Sequence, residues 1–147
     1  MSVEILKKKD EMVYSNFINE FDITMIYYSL EYINLIEEFT KSKSKIFVVK
    51  RQNQITAILP LFFKIGPIGT VINSSPFYGS NGGIISDNEE DHILLIEAYK
   101  KEVYKDDIIA STYIENPLLP EVFEVPHNLV DERIGQITML PEYSEDI

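Results

Sequence analysis

Two segments with helical periodicity enclose a run of strand-like segments, and this order limits the fold more than any other feature of the sequence. The first pattern predicts a helix over residues 29–40, which begins at Ser29, a residue type that caps helix amino termini. Apolar residues recur within it at i, i+3, i+4 and i+7. The stripe expected to face the core is Tyr32, Leu35, Ile36 and Phe39.

The second pattern predicts a helix over residues 88–104. Ser86 and Glu89 have the spacing of a capping box, and Asp87 with Glu90 forms an alternative cap pair. Lysines near the end of the pattern suit the negative end of a helix dipole. The apolar stripe expected to face the core is His92, Leu95, Ile96, Tyr99 and Val103.

Strand-like segments rich in β-branched and aromatic residues lie between and after the helix patterns. Pro60 has no N–H to donate, so it marks a bulge or a sheet edge in its strand. The fold class is therefore mixed α/β (α+β), with helices packed on one central, partly antiparallel sheet, and residues 1–147 form one domain. The predicted strands cover residues 46–49, 55–63, 70–72, 84–85, 108–114 and 134–140, and a short helix is predicted over residues 118–123.

The composition excludes several classes of protein. The 147 residues contain no cysteine, which excludes disulfides, thiolate metal sites and a cysteine nucleophile. The chain has 13 basic and 24 acidic residues, and its net charge of −11 argues against autonomous binding of nucleic acid or anionic lipid. No apolar run reaches the roughly 18 residues that span a bilayer, and the start has no signal-peptide pattern, so a cytoplasmic protein is expected.

The motifs that usually carry chemistry have structural explanations here, and no catalytic residue is identified. His92 lies in the helix stripe and His127 in a loop, and neither has the further ligands of a zinc site, so no metal site is predicted. The stretch 79–82 superficially resembles a nucleophile elbow, but its spacing is wrong and no helix follows directly. Gly66 and Gly69 lead into a strand, so they do not form a phosphate-binding loop.

The segment from Ser75 to Gly83 is the strongest candidate for a functional site. Its glycines allow positive φ angles and a close approach of the backbone to another group, and its polar side chains surround an aromatic platform. A turn with an aromatic anchor and a substrate-facing or interdomain loop both fit this composition. Under the second interpretation the substrate-binding residues are Phe77, Tyr78, Gly79, Ser80, Asn81, Gly82 and Gly83.

Four segments in the same order resemble motifs of the FemAB-like acyl and aminoacyl transferases, which are relatives of the GNAT acyltransferases. The loop from Pro76 to Gly83 resembles their Pro-Phe-x-Gly-x-x-Gly-Gly loop. The sequence departs from the family at Leu30, where relatives have proline, and at Ile114, where they often have a basic residue. The other segments are similar to the family's early helix start, its Leu-Pro-Leu-Phe strand and its strand exit into Asn-Pro-Leu, and they are residues 28–32, 58–62 and 113–119.

The resemblance implies that the chain is the amino-terminal, GNAT-like half of a protein with two such halves. The acceptor is then expected in the cleft between this chain and the missing second half. The implied reaction transfers an acyl or aminoacyl group to an amine, either of a small molecule or of a peptidoglycan or glycan precursor, in cell-wall or glycan biosynthesis.

The resemblance also implies where the donor binds. The GNAT acyl-CoA signature, a Gln/Arg-x-x-Gly-x-Gly/Ala loop that opens a helix, is absent from the sequence. The donor, acyl-CoA or aminoacyl-tRNA, is therefore expected to bind the second half, and this chain alone is expected to bind no cofactor and to be inactive. A non-catalytic binding or interaction domain with the same fold is the alternative function.

Overall fold

The computed structural model describes residues 2–21, 24–75, 81–119 and 124–132. Two short 3-10 turns, Lys8–Asp10 and Ile26–Tyr28, precede the first two α-helices. The predicted strand at 134–140 lies outside the described residues, as does most of the predicted short helix at 118–123. The described elements are β1 Val3–Ile5, α1 Glu11–Glu20, α2 Leu30–Thr40, β2 Lys43–Arg51, β3 Gln54–Gly66, β4 Gly69–Asn73, β5 Ile85–Ser86, α3 Glu89–Val103 and β6 Ile108–Thr112.

The described strands form one sheet in the order β1-β2-β3-β4-β6, and β5 pairs with β3. Every pair is antiparallel except β4 with β6, which are parallel and are connected through α3. β2 and β3 form a hairpin with positive φ angles at Gln52 (51°) and Asn53 (68°), the backbone of a type I′ turn. This mixed, mostly antiparallel sheet with packed helices confirms the predicted fold class.

Strand β2 is buried on both faces of the sheet, because helices cover both sides. Alternate side chains of a strand point to opposite faces, so Ile46 and Val48 pack under α1 and α2, whereas Phe47 and Val49 pack under α3. The result is three layers, with the sheet in the middle. The first core also contains Tyr14, Phe17, Tyr28, Ile33, Ile36, Ile55, Ile58, Phe62 and Ile85. The second also contains Ala57, Leu59, Leu61, Phe63, Ile72, Ile84, Leu95, Ile96 and Tyr99.

The predicted helix starts are correct for α2 and displaced for α3. Ser29 caps α2, since its Oγ accepts a hydrogen bond from the N–H of Tyr32 (3.2 Å). The cap of α3 is Asn88, whose Oδ1 accepts from the N–H of Asp91 (2.9 Å). The two predicted cap pairs of α3 are therefore wrong. Ser86 instead accepts a bond from the N–H of Asn88 (3.3 Å) and so orders the cap residue itself.

The predicted core stripe of α3 is confirmed, whereas that of α2 is wrong in part. On α3, Val103 is half-buried and the other four stripe residues are buried. On α2, Leu35 is 60% exposed and Phe39 is 70% exposed. The helix is rotated so that Ile33 and Ile36 face the sheet, at 2% and 3% exposure.

Helix α1 is missing from the sequence-based expectations. Its amino terminus has no side-chain cap, so the start signal that marks α2 and α3 is absent. A periodic signal is nevertheless present, because Val13, Tyr14, Phe17 and Ile18 repeat at helical spacing. Tyr14 and Phe17 are buried against the sheet, and their neighbours Val13 and Ile18 are partly buried against the same core.

Pro60 lies at a local edge of β3 rather than at a bulge. It is opposite Ile46 of β2, and the irregularity in that ladder is at Val49/Lys50. On the other side of β3, β4 ends opposite Phe62, and β5 begins opposite Ile58. Within the described residues, positions 59–61 have no strand partner on that side, so the missing N–H of Pro60 is tolerated there.

The three-layer arrangement predicts a sharp difference between two apolar residues of the helices. Ile96 lies on the sheet-facing side of α3 and is 7% exposed. Replacing it by alanine should lower the free energy of unfolding by about 2–5 kcal/mol, because the substitution leaves a cavity. Replacing Leu35 by alanine is the matched control and should change it by no more than about 0.5 kcal/mol. Urea unfolding of both variants measures this difference, and equal losses would contradict the packing described.

Candidate functional site

The chain leaves the sheet between β4 and β5, and this excursion contains the loop singled out in the sequence. Residues 74–84 connect β4 to β5. The parts of β3 that pair with these two strands are only three residues apart, at positions 59–61, so the connection is much longer than the gap it spans. Beside the excursion, β6 ends at Thr112 and continues as residues 113–116. The carboxyl ends of the parallel strands β4 and β6 therefore meet here, which is where open α/β sheets bind ligands.

Ser74 fastens the start of the excursion to the end of β6. Its N–H donates to the carbonyl of Thr112 (3.0 Å), and its Oγ accepts from the N–H of Ile114 (2.8 Å). The same hydroxyl donates to the carbonyl of Ile114 (3.3 Å). Ser74 is buried, and its hydroxyl is committed to the backbone. It is therefore a structural link, in keeping with the rejection of a serine nucleophile.

Gly82 and Gly83 pack against the chain's own backbone and side chains. A Cβ atom at Gly82 would lie 2.6 Å from the carbonyl oxygen of Ser74, closer than real side chains come. Gly83 has a φ angle of +87°, and a Cβ atom there would lie 3.0 Å from the hydroxyl of Tyr113. The close approach that glycine permits is thus made to the strand exit, and both residues are buried.

Tyr28 holds the excursion from the side of the sheet that α1 and α2 cover. Its hydroxyl donates to the carbonyl of Gly82 (2.5 Å), and its side chain also hydrogen-bonds Asn116. Its own carbonyl accepts from the hydroxyl of Tyr14 (2.6 Å). Both tyrosines are fully buried, and burial raises the pKa of Tyr28 well above its usual value, so the phenol remains a donor.

The strand exit contributes two further titratable side chains, which the sequence motifs did not assign to any role. The hydroxyl of Tyr113 accepts from the N–H of Ile84 (3.0 Å), its ring lies edge-on to Tyr99, and burial raises its pKa. Glu115 is half-buried, and desolvation raises the pKa of its carboxyl group. A carboxyl group with a raised pKa beside a strand end is a candidate for proton transfer.

The predicted substrate-binding residues are only partly within the described chain. Four of them, Phe77, Tyr78, Gly79 and Ser80, lie outside it, so their role stays a prediction. Asn81 is half-buried at the rim of the excursion, while the two glycines that follow are inside.

Three of the four segments that resemble FemAB motifs meet at this excursion. They are the helix start at Tyr28, the end of the glycine loop and the strand exit at 113–116. The fourth segment, residues 58–62 of β3, lies alongside, since Ile58 pairs with Ile85 at the end of the excursion. Segments far apart in sequence are thus brought together by hydrogen bonds at one place.

The start of α3, which follows the excursion, is strongly acidic. Its first turn carries Glu89, Glu90 and Asp91. Arg51 of β2 forms a bidentate pair with Asp91 (Nε–Oδ2 2.9 Å and Nη2–Oδ1 2.8 Å), and its Nη2 also donates to Glu90 (2.8 Å). Thr56 donates to the same Asp91 carboxylate (2.5 Å). These bonds join the β2–β3 turn to the first turn of α3.

Asp91 is the buried centre of this network. Its side chain is fully buried, and the hydrogen bonds from Arg51, together with those from Thr56 and Asn88, lower its pKa to about 2. An open depression of about 470 Å³ lies beside it, lined by Arg51, Thr56 and residues 87–90. The guanidinium of Arg51 is already paired with the carboxylates of α3. It therefore has no free positive charge with which to bind an anion in the depression.

This helix start does not fit the diphosphate of acyl-CoA. A helix amino terminus binds phosphate through free N–H groups and its positive dipole. Here the side chain of Asn88 already takes the N–H of Asp91, and three carboxylates surround the turn. A diphosphate would therefore meet repulsion where a nucleotide-binding helix provides attraction.

Neither histidine belongs to a metal centre in the described part of the chain, where no group of three or more His, Cys, Asp or Glu is arranged to hold a metal ion. His92 is buried in the α3 stripe, and burial lowers its pKa to about 4. His127 is exposed, with its Nδ1 2.8 Å from the carbonyl of Val125. Among the described helices, none is long and apolar enough to cross a membrane.

Comparison with known proteins identifies the fold but no family. No protein-family model matches the sequence, and no curated protein is significantly similar to it. Among solved structures, ribosomal-protein-alanine N-acetyltransferase from Brucella melitensis biovar Abortus 2308 aligns with a TM-score of 0.53 and 9% identity over 91% of this chain and 98% of its own. A probable acetyltransferase aligns with a TM-score of 0.53 and 10% identity over 95% and 100%.

A transcriptional regulator from Bacillus halodurans C-125 has the same fold, with a TM-score of 0.53 and 10% identity over 90% of this chain and 99% of its own. Identities this low show the fold alone. The chain therefore has the GNAT-like fold of these acetyltransferases, and the alignments cover nearly the whole length of each solved structure.

Removing the hydroxyl of Tyr28 tests whether it orders the excursion. Tyr28→Phe leaves the buried carbonyl of Gly82 without this donor, so the free energy of unfolding should fall by about 1–3 kcal/mol. Hydrogen exchange of the Ile84 amide should accelerate as the loop loosens. Tyr104→Phe, at a 74% exposed tyrosine, should change neither quantity, and an unchanged Tyr28→Phe variant would contradict the role assigned to this bond.

The Arg51–Asp91 pair predicts a particular pH dependence of stability. The folded pKa of Asp91, about 2, lies below its ordinary value of 3.8, so the pair stabilises the fold above about pH 4, and that stability is lost as the pH falls towards 2. Asp91→Asn should cost about 3 kcal/mol at pH 7 and flatten the loss between those pH values. Glu90→Gln, at a side chain 77% exposed, should cost less than about 1 kcal/mol. Urea unfolding between pH 7 and pH 2 distinguishes these outcomes, and parallel curves for wild type and Asp91→Asn would refute the assignment.

Proposed function

We propose that this chain is the amino-terminal, acceptor-positioning half of a FemAB-like N-acyltransferase or aminoacyltransferase, and that it has no donor site of its own. The GNAT-like fold supports transfer chemistry, since the fold is shared with acetyltransferases. The excursion at the carboxyl ends of β4 and β6 supports a substrate site at that edge. The acceptor is an amine of a cell-wall or glycan precursor, and the donor, acyl-CoA or aminoacyl-tRNA, binds the second half.

The acidic start of α3 carries this proposal. An acyl-CoA diphosphate placed there would have to displace Arg51 from a bidentate pair and lie beside three carboxylates. Both requirements oppose binding, because a charge-assisted bidentate pair is among the strongest polar interactions and like charges repel. The same turn is harmless to an acceptor that is neutral or positively charged, as an amine is.

The excursion supplies what an amine acceptor needs. The Tyr28 and Ser74 contacts fix the described ends of the excursion relative to both strand ends, and a fixed backbone holds a nucleophile at low entropic cost. In the transfer step the amine nitrogen bonds to an activated carbonyl carbon, the bond to the leaving group breaks, and the nitrogen releases a proton. Glu115, with its raised pKa, is the candidate base for that proton.

Two titrations of the chain test the proposal. Calorimetry with acetyl-CoA should show no saturable binding up to about 1 mM, and simple amines should not be acetylated. Backbone NMR titration with glycinamide and glucosamine, probes of peptide and glycan amines, should shift signals of residues 81–84 and 113–116. Asn81→Ala should abolish those shifts at an unchanged melting temperature, whereas Asn34→Ala, on the exposed face of α2, should not.

Three results would contradict the proposal in different ways. Micromolar binding of acetyl-CoA with turnover would show a donor site that the charge argument misses. An Asn81→Ala variant that still binds amines, or loses binding only by unfolding, would leave the loop as an anchored turn. The absence of any amine response at the excursion would favour the alternative, a non-catalytic binding or interaction domain with a GNAT-like fold.

A further inference from the structure

Asn81 at the rim of the excursion is followed by a glycine, and this pair is chemically labile. The backbone nitrogen of a residue can attack the side-chain amide carbon of a preceding asparagine. The attack is least hindered when the attacking residue is glycine, which has no side chain. None of the other asparagines in the sequence precedes a glycine. Asn81 is half-buried, so water reaches part of its side chain.

The packing of the excursion requires this glycine. A Cβ atom at Gly82 would lie 2.6 Å from the carbonyl oxygen of Ser74 and 3.1 Å from the Cβ atom of Ser75. The first contact is closer than real side chains come, and the crowding atom belongs to the backbone, so it cannot rotate away. No residue with a side chain fits at position 82 without moving the chain. The fold therefore keeps Asn81 beside the residue that makes it most reactive.

The same packing restrains the attack. Contact between the Gly82 nitrogen and the side-chain carbon of Asn81 requires rotation about the bonds of Asn81. Tyr28 holds the carbonyl of Gly82 through a buried hydrogen bond (2.5 Å), and Gly82 is itself buried. Ring closure thus requires the excursion to open locally, and its rate follows the population of the open state.

We propose that Asn81 is a site of spontaneous deamidation, and that the hydrogen bond from Tyr28 to Gly82 controls its rate. The Gly82 nitrogen bonds to Cγ of Asn81, the bond from Cγ to Nδ2 breaks, and the proton of the Gly82 nitrogen leaves with the departing ammonia. A cyclic imide remains. Water then adds to one of its two carbonyl carbons and breaks that carbon's bond to nitrogen. The product is aspartate or isoaspartate, and each carries a negative charge that asparagine lacks.

The two products have different effects on the excursion. Aspartate leaves the backbone unchanged. Isoaspartate places one additional carbon atom in the backbone between residues 81 and 82. Because Gly82 lies against Ser74 on one side and is bonded to Tyr28 on the other, that atom displaces it from one of these contacts. Hydrogen exchange of the Ile84 amide should therefore accelerate in the isoaspartate form and stay unchanged in the aspartate form.

The added charge also affects the acceptor site, a consequence that rests on the proposed function. Gly83 lies against the carbonyl of Ile114, which is 3.1 Å from a Cβ atom placed there, and Glu115 is the next residue. A carboxylate at position 81 therefore adds negative charge close to Glu115. An ammonium group binds more tightly beside two carboxylates but gives up its proton less readily. Deamidation to aspartate is thus expected to strengthen amine binding and to oppose transfer.

Mass spectrometry of the incubated chain tests the modification. At about pH 8.5 the folded wild type should gain the mass difference between an amide and an acid at Asn81. The conversion should be at least about tenfold slower than in the same chain unfolded in urea, because only the open state reacts. It should slow further at about pH 6, since the attacking nitrogen has to lose its proton. Asn73, which precedes Ser74 at the end of β4, is the internal control and should stay intact in the folded chain.

Variants of the anchoring residues test the control of the rate. Tyr28→Phe should speed conversion at least about fivefold, because the open state becomes more populated. Ser74→Ala removes another anchor of the excursion and should act in the same direction. Ile96→Ala is the matched control, since it lowers the stability of the fold from α3 without touching these bonds, and it should convert like the wild type.

Each arm of the experiment has a result that overturns its part of the inference. A folded chain that keeps Asn81 intact while the unfolded chain converts would refute the site. Equal rates in the wild type and both anchor variants, or equal acceleration by Ile96→Ala, would refute control by the excursion. An Asn81→Asp variant that binds glycinamide no more tightly than the wild type would contradict the consequence for amines. The mass measurement needs neither acetyl-CoA nor an amine, so the modification and the proposed function fail independently.

Discussion

The length of β3 determines how the rest of the sheet is built. The strand has 13 residues, of which Gln54 to Phe63 run beside β2, and its other side is divided between β4 and β5. The chain therefore has to leave the sheet after Asn73 and return before Ile85, and residues 59–61 of β3 lie opposite the departure. Pro60 occupies that stretch, where a missing N–H costs no ladder bond. The chain makes the excursion because β3 pairs with two separate strands on this side, and the candidate site lies in that excursion.

An excursion of this kind would be a mobile loop if nothing held it, and buried hydroxyl groups provide the hold. The hydroxyls of Tyr28, Ser74 and Tyr113 each hydrogen-bond a backbone group of the excursion or of the strand exit beside it. The Tyr28 bond is buried and the other two are partly buried, so losing one would leave a polar group poorly hydrated and would cost more than the bond contributes when formed. The described ends of the loop are therefore fixed relative to the carboxyl ends of β4 and β6, as a site that orients a substrate requires.

The sequence predicts the layers of this fold well and the direction of individual faces less well. The α3 stripe follows from the helical spacing of its apolar residues. The hairpin follows from two strand-like segments with a single polar turn between them. On α2, apolar residues occupy positions 30, 32, 33, 35, 36 and 39, which cover more than half of the helix circumference. Period alone cannot choose the buried side of such a helix. The choice is made by the sheet, which accepts Ile33 and Ile36 and leaves Leu35 outside.

The candidate site shows the same limit in another form. Composition identifies the glycine loop because glycine and polar residues cluster there. It cannot reveal that Gly82 approaches Ser74, or that Tyr28, more than fifty residues earlier, supplies the hydrogen bond to its carbonyl. Those contacts arise from pairing between distant segments, and single-sequence patterns carry no information about pairing. Glu115 escapes notice for a related reason, since its altered pKa comes from burial by neighbours rather than from a motif.

The charges at the start of α3 are independent of the apolar packing that holds the layers together. The amino terminus of a helix presents free N–H groups and a positive dipole, and both favour anions. In this chain the first turn of α3 carries Glu89, Glu90 and Asp91, and Glu90 and Asp91 bind Arg51 of the hairpin. The positive end of the helix dipole is therefore already compensated by these carboxylates, which also hold α3 to the β2–β3 turn. The layers of the fold depend on apolar packing, whereas the affinity of this helix start for an anion depends on a few charges, so the two can vary independently.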